Sequence, residues 1–258
     1  QGFFNDPRKP FLNRVLSGLY SPGSTVKPFL GLAALHEDLI TENTRIMSTG
    51  RIEVPNRFNP DDPSIFRDWR REGHGITDIR HAIADSVNTF FYAIGGGWQR
   101  QDGLGINKIE KYIADFGIAQ KTGIDFGFEA LGTIPNPEWK DQVFDDGTWR
   151  LGDTYITSIG QFGFQVTPIQ MTRATAALAN NGTLLQPLLV QGDTVSESVD
   201  QNISQSDYTL IQQAMRDTVT KGTARIINIP EVTMTAKTGT AQVGVNNEFY
   251  NSWIIGFF

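Results

Sequence analysis

Apolar positions along the chain recur at two different periods, and the change from one to the other marks the elements. From Ser24 to about Asp38, Val26, Phe29, Leu30, Leu32, Ala33 and Leu35 follow one another at helical spacing. A second run begins after Thr77. It passes through Ile79, Ile83, Val87, Phe90, Phe91 and Ile94 and is closed by Gly95-Gly96-Gly97. A third helix is expected from about Ile106 to Phe116, with Gly117 as its stop. Thr167-Pro168 sets a cap and a first-turn proline ahead of a fourth, which Asn181-Gly182 ends. Ser204, with Asp207 three residues on, caps a fifth that stops at Gly222.

Strand character collects at the end of the chain. Val232 to Val243 is rich in Thr and Val, and Tyr250 to Phe258 is aromatic and β-branched. Ser48 to Gly75, interrupted by Gly50, Pro55, Pro60, Pro63 and Gly73, reads as loops or short strands. Helices in the middle and strands at the end predict an α+β domain rather than alternating βαβ units.

Composition narrows the classes of function. The 258 residues suffice for a substantial core, and 39% apolar with 19% charged residues is ordinary globular usage. A net charge of −6 argues against nucleic acid, which needs a basic face, but not against a small anionic substrate held by one lysine. The absence of cysteine removes disulfides, thiol nucleophiles and thiolate metal sites. His36, His74 and His81 share no ligand spacing, so no metal site is expected. Apolar stretches such as Ile254 to Phe258 are too short to span a bilayer, and the first residues do not read as a signal peptide.

Three short motifs carry candidate chemistry. In Ser24-Thr25-Val26-Lys27, residues three apart share a helix face, so the Lys27 amine can lie over the Ser24 hydroxyl. A serine hydroxyl is a weak nucleophile until a base takes its proton, and lysine is a base only when held neutral by burial or a second cation. In Ser86-Val87-Asn88, inside the second helical run, the Ser86 hydroxyl suits a proton relay near Lys27 and the Asn88 amide suits a substrate backbone. In Lys237-Thr238-Gly239-Thr240, on the strand-like segment, Gly239 lets a substrate approach closely. Lys237 and the two threonine hydroxyls can hold a carboxylate. The backbone N–H of Thr240, paired with that of Ser24, suits an oxyanion hole. Lys121-Thr122-Gly123 repeats the tripeptide after a helix stop and before a glycine-rich loop, a setting that favours Lys237.

The order of these motifs resembles the penicillin-recognising serine enzymes. Trp149-Arg150-Leu151-Gly152-Asp153-Thr154, Ser158-Ile159-Gly160-Gln161 and Thr167-Pro168-Ile169-Gln170-Met171 resemble the class B penicillin-binding proteins. Phe66-Arg67-Asp68-Trp69, Gly73-His74-Gly75 and Thr122-Gly123-Ile124-Asp125 are most similar to their elongation-type, cell-shape branch. The resemblance implies one transpeptidase domain over 1–258, with helices packed on an antiparallel sheet. It also implies a fragment, incomplete at both ends, of a longer membrane-anchored protein at the extracytoplasmic face. The implied reaction is cross-linking of peptidoglycan stem peptides through an acyl-enzyme on Ser24, without metal or organic cofactor and with β-lactams as mimics. Implied partners are a membrane glycosyltransferase and wall-synthesis scaffold proteins.

A β-lactamase or a β-lactam sensor would share the acylation site. Against a class A β-lactamase, none of Glu110, Glu129, Glu138, Glu197 and Glu231 has an asparagine four residues on. No Gly-x-Ser-x-Gly elbow supports a Ser-His-Asp hydrolase. Trp69, Trp98, Trp139 and Trp149 are candidates to line a groove, or simply to anchor core and loops.

Overall fold

The computed structural model describes residues 5–56, 59, 61–193, 195–199, 202–244 and 248–258. Helix α1 (Arg14–Ser17) precedes a 3-10 turn (Gly23–Val26) that runs directly into α2 (Lys27–His36). Strands β1 (Ile46–Ser48), β2 (Arg51–Val54), β3 (Ser64–Arg67) and β4 (Gly75–Thr77) form two antiparallel pairs, β1 with β4 and β2 with β3. Helices α3 (Ile79–Ala84), α4 (Asn88–Gly96), α5 (Gly105–Asp115), α6 (Pro137–Val143), α7 (Leu151–Thr157) and α8 (Pro168–Ala179) follow. Then β5 (Thr183–Leu185) pairs with β6 (Ser196–Ser198), and α9 (Gln205–Thr220) leads through a 3-10 turn (Arg225–Ile227) to the closing hairpin. That hairpin is β7 (Thr235–Val243) with β8 (Phe249–Phe257), in a register that sets Lys237 opposite Ile255 and Thr240 opposite Ser252.

The core centres on α2, in which every residue from Lys27 to Leu35 is buried. A helix that is apolar almost all round belongs inside a domain, and α2 packs against α3, α4, α5 and α9. Helix α9 turns Tyr208, Ile211, Ala214, Met215 and Thr218 inward at helical spacing, and its other contacts reach β7. Helix α8 covers β8, so helices lie against the hairpin as an α+β domain requires. Capping follows the expected chemistry at α8, where Thr167 and Gln170 bond reciprocally, and at α9, where Ser204 accepts from Asp207 N–H.

The expected long helix from Ile79 to Ile94 is two helices. It is capped by Asp78, which accepts from His81 N–H, rather than by Thr77, and it breaks at Asp85-Ser86-Val87. Ser86 takes the left-handed conformation there, with φ at 58°. Apolar spacing is blind to this break because Val87 stays fully buried across it. The groups the break frees are taken from outside the helix. Asp68 accepts from Thr89 N–H at 2.9 Å, and the Ala84 carbonyl accepts from Thr223 N–H at 3.1 Å.

The first run also departs from expectation, since regular α-helix begins at Lys27 and Ser24 lies in the 3-10 turn before it. Lys27 N–H bonds the Ser24 carbonyl, and Pro28 has no N–H to continue the earlier turn. The short helices α1, α6 and α7 and the pair β5–β6 carry too few periodic positions to be read in advance. Ser48 to Gly75 is short strands and loops as expected, apart from residues 57, 58 and 60, Pro60 among them, which lie outside the described residues.

Candidate active site

The 3-10 turn carrying Ser24 is clamped between two neighbours. Gly23 N–H donates to Gly160 O at 3.0 Å, and a Cβ on Gly23 would fall 3.1 Å from the Thr240 carbonyl. From the strand side, a Cβ on Gly239 would fall 2.8 Å from Thr25 Cγ2 and 2.9 Å from Pro22 O. Both glycines let the turn and β7 approach backbone to backbone. Trp253 Nε1 on β8 donates to Ser21 O at 3.0 Å, two residues ahead of the same turn. The first and third motifs are thereby placed side by side.

Lys27 is wholly buried, with Nζ 5.2 Å from the centre of the Phe91 ring. It donates to Ser86 O at 2.8 Å and Asn88 Oδ1 at 2.7 Å, and Ser86 Oγ lies 3.2 Å away. Burial lowers its pKa to about 7, and the Asp68 carboxylate partly opposes the shift. The second motif serves Lys27 because of the helix break. The left-handed Ser86 aims both its carbonyl and its hydroxyl at the amine, an arrangement an unbroken helix would not offer. Asn88 is fixed as the first residue of α4 by Asp68, which accepts from Thr89 N–H, Thr89 Oγ1 and Trp69 N–H.

Lys237 is the second wholly buried cation, its Nζ donating to Thr238 O at 2.8 Å. Burial pushes its pKa well below the usual lysine value; the nearby Lys27 charge pushes the same way, and Asp85 opposes. The Thr238 hydroxyl lies 2.6 Å from that of Thr223. Beside this pair an open groove of about 630 Å³ is lined by Trp69, Asp85, Lys221, Thr223, Arg225 and Ile226.

The repeated tripeptide is elsewhere. Thr122 N–H, Thr122 Oγ1 and Gly123 N–H all bond the buried Glu129 carboxylate, and Lys121 is exposed. The four tryptophans do not line one groove. Trp139 and Trp149 pack on Phe162, Trp69 stands against His74, and Trp98 packs on the core.

The histidines are less scattered than their spacing suggests. Among the described residues, His74, His81 and Asp85 offer ligand atoms within 4.8 Å of one another, while His36 sits against Tyr112. Six residues between two histidines gave no sign of this; His74 packs between Trp69 and His81 of α3. Asp68 and Thr223 were the residues sequence reasoning undervalued. Asp68 stood only as one letter of a loop resemblance, and nothing near Thr223 marked it.

A family model for the penicillin binding protein transpeptidase domain matches residues 2–258. The chain belongs to that family. It is 36% identical over 245 residues to the peptidoglycan D,D-transpeptidase MrdA of Acinetobacter baumannii, covering 91% of this chain and 35% of that protein. It superposes on penicillin-binding protein PBP2 from Helicobacter pylori, solved in complex with MreC, with a TM-score of 0.84. Identity there is 32%, over 100% of this chain and 46% of that one. A chain of a peptidoglycan synthase complex that coordinates polymerization and crosslinking gives a TM-score of 0.81 and 27% identity, over 99% and 42%. The chain therefore spans less than half the length of these relatives, and the likeness to the elongation-type branch is carried by MrdA and PBP2.

Proposed function

We propose that this domain is the acyl-transfer centre of a peptidoglycan D,D-transpeptidase, with Ser24 as nucleophile and Lys27 as its base. The observation that carries the reading is Lys27 itself: wholly buried, held near pKa 7, and one helical turn from Ser24. A neutral amine has two N–H donors and one lone pair. Ser86 O and Asn88 Oδ1, both acceptors, use the two donors and leave the lone pair for a hydroxyl proton.

Ser24 Oγ attacks the carbonyl between two D-alanines of a donor stem peptide while its proton passes to Lys27 Nζ. The N–H groups of Ser24 and Thr240 hold the oxyanion, which the close approach of Gly23 to Thr240 supports. Collapse breaks the peptide C–N bond. The departing D-alanine amine takes the proton back from Lys27 through the Ser86 hydroxyl. An amine of a second stem peptide then attacks the acyl-enzyme, forms the cross-link and returns the proton to Ser24. Lys237, with the Thr238 and Thr240 hydroxyls, holds the terminal carboxylate. Asn88 orients the substrate backbone through whatever its amide has left after Lys27. Likeness to MrdA and to PBP2 bound to MreC supports a wall-synthesis setting with scaffold and glycosyltransferase partners, outside the cytoplasmic membrane. Among the described residues no helix is long and apolar enough to cross a membrane.

Intact-mass analysis after incubation with a penicillin tests the reading. A lasting adduct on the wild-type protein, absent from Ser24→Ala, is expected. Rapid loss of the adduct with drug turnover would instead identify a β-lactamase.

A further inference from the structure

Thr223 belongs to none of the three motifs, yet it bonds one of them and the end of the helix that leads into another. Its backbone N–H donates to Ala84 O at 3.1 Å, at the end of α3 two residues before Ser86. Its hydroxyl lies 2.6 Å from that of Thr238. The residues on either side are pinned as well. A Cβ on Gly222 would fall 2.2 Å from Ala84 O, and the buried Ala224 donates to Thr218 O at 2.9 Å. The backbone thus holds the Thr223 hydroxyl against Thr238.

A hydroxyl has one proton to give and two lone pairs with which to accept. In a pair 2.6 Å apart one oxygen must donate to the other. If Thr238 donates to Thr223, its proton is spent and cannot reach a carboxylate. If Thr223 donates, the Thr238 proton is free to point into the site, and accepting a bond makes Thr238 a better donor. A carboxylate only accepts, so its arrival selects the second arrangement.

We propose that Thr223 is a positioning residue, donating to Thr238 Oγ1 so that the Thr238 hydroxyl faces the substrate carboxylate. The proposal rests on the acyl-transfer reading above. It also makes the loop after α9 a physical tie between the Ser86 break and the carboxylate end of the site.

The test is a double-mutant cycle on the purified protein, reading the second-order rate of acylation by a carboxylate-bearing penicillin. Thr223→Val should slow acylation about 2- to 10-fold, the worth of one hydrogen bond, and Thr223→Ser should restore it. In a Thr238→Val background the same substitution should cost nothing further. Losses that multiply, a serine variant that fails to restore the rate, or a folded Thr223→Val acylated at the wild-type rate would each overturn the proposal. Thr223→Ala, expected to match the valine variant, decides the matter if the valine variant does not fold. A wild-type protein that takes no adduct at all would overturn the acyl-transfer reading, and this proposal with it, before any variant is made.

Discussion

Lys-Thr-Gly occurs at 121–123 and again at 237–239, and the two copies meet opposite surroundings. The first lies in a loop after α5, with Lys121 in solvent and Gly123 at φ +79°. Its threonine hydroxyl and two backbone N–H groups close on Glu129, at 2.6, 2.9 and 3.1 Å. The second lies on β7, with Lys237 wholly buried and Gly239 pressed against the Ser24 turn. Both copies suit a carboxylate. In the first the chain supplies that carboxylate from seven residues away, and the site is closed from the moment of folding. In the second the strand pairs along one edge with β8, and in the proposed reading its cation, its hydroxyls and the Thr240 N–H are left for a ligand. The first copy holds a structural anion; in the proposed reading the second, in different surroundings, holds that of a substrate.

The comparison is broken most severely by removing Lys27, the base proposed above. Lys27→Ala should slow penicillin acylation about 10²- to 10⁴-fold, measured by stopped-flow or intact mass. Lys237→Ala should slow acylation by a carboxylate-bearing penicillin about 10- to 150-fold, the worth of a charge-assisted hydrogen bond. The pH profile should follow Lys27. Its ammonium form is inactive as a base, so with a pKa of about 7 the acylation rate should fall about tenfold per pH unit below 7 and level off above it. A flat profile from pH 5 to 8 would mean that another group is the base. At the first copy the effects should be on stability alone. Glu129→Ala strands the buried donors of Thr122 and should cost about 1–3 kcal/mol by chemical denaturation, with acylation unchanged. Lys121→Ala should change neither stability by more than about 0.5 kcal/mol nor the acylation rate.

Much of the site was legible because its chemistry is local. Ser24 and Lys27 sit one turn apart on a strongly periodic run, and Thr235 to Val243 has the composition of a strand. What escaped depends on pairs distant in sequence. The break at Ser86 is stabilised by Asp68 and Thr223, and no periodicity records a bond between residues 84 and 223. The grouping of His74, His81 and Asp85 is closer in sequence and escaped because His74 lies before β4, outside the helical run that carries His81. Strand β7 begins at Thr235, three residues after the expected Val232, because β-branched Val232 and Thr233 carry the propensity without a partner strand.

Burying two lysines near one another has a consequence for folding as well as for chemistry. The unfolded chain would hold the Lys27 proton up to about pH 10.5, whereas the folded chain gives it up near 7. Between those values stability rises with pH, and below 7 the full penalty, on the order of 5 kcal/mol, is carried by the rest of the molecule. The resting domain is thus electrostatically frustrated at its centre, and a bound anion beside Lys237 would relieve part of that load. The tight helical packing around α2 then acts as ballast, holding in place a site that left to itself would push apart.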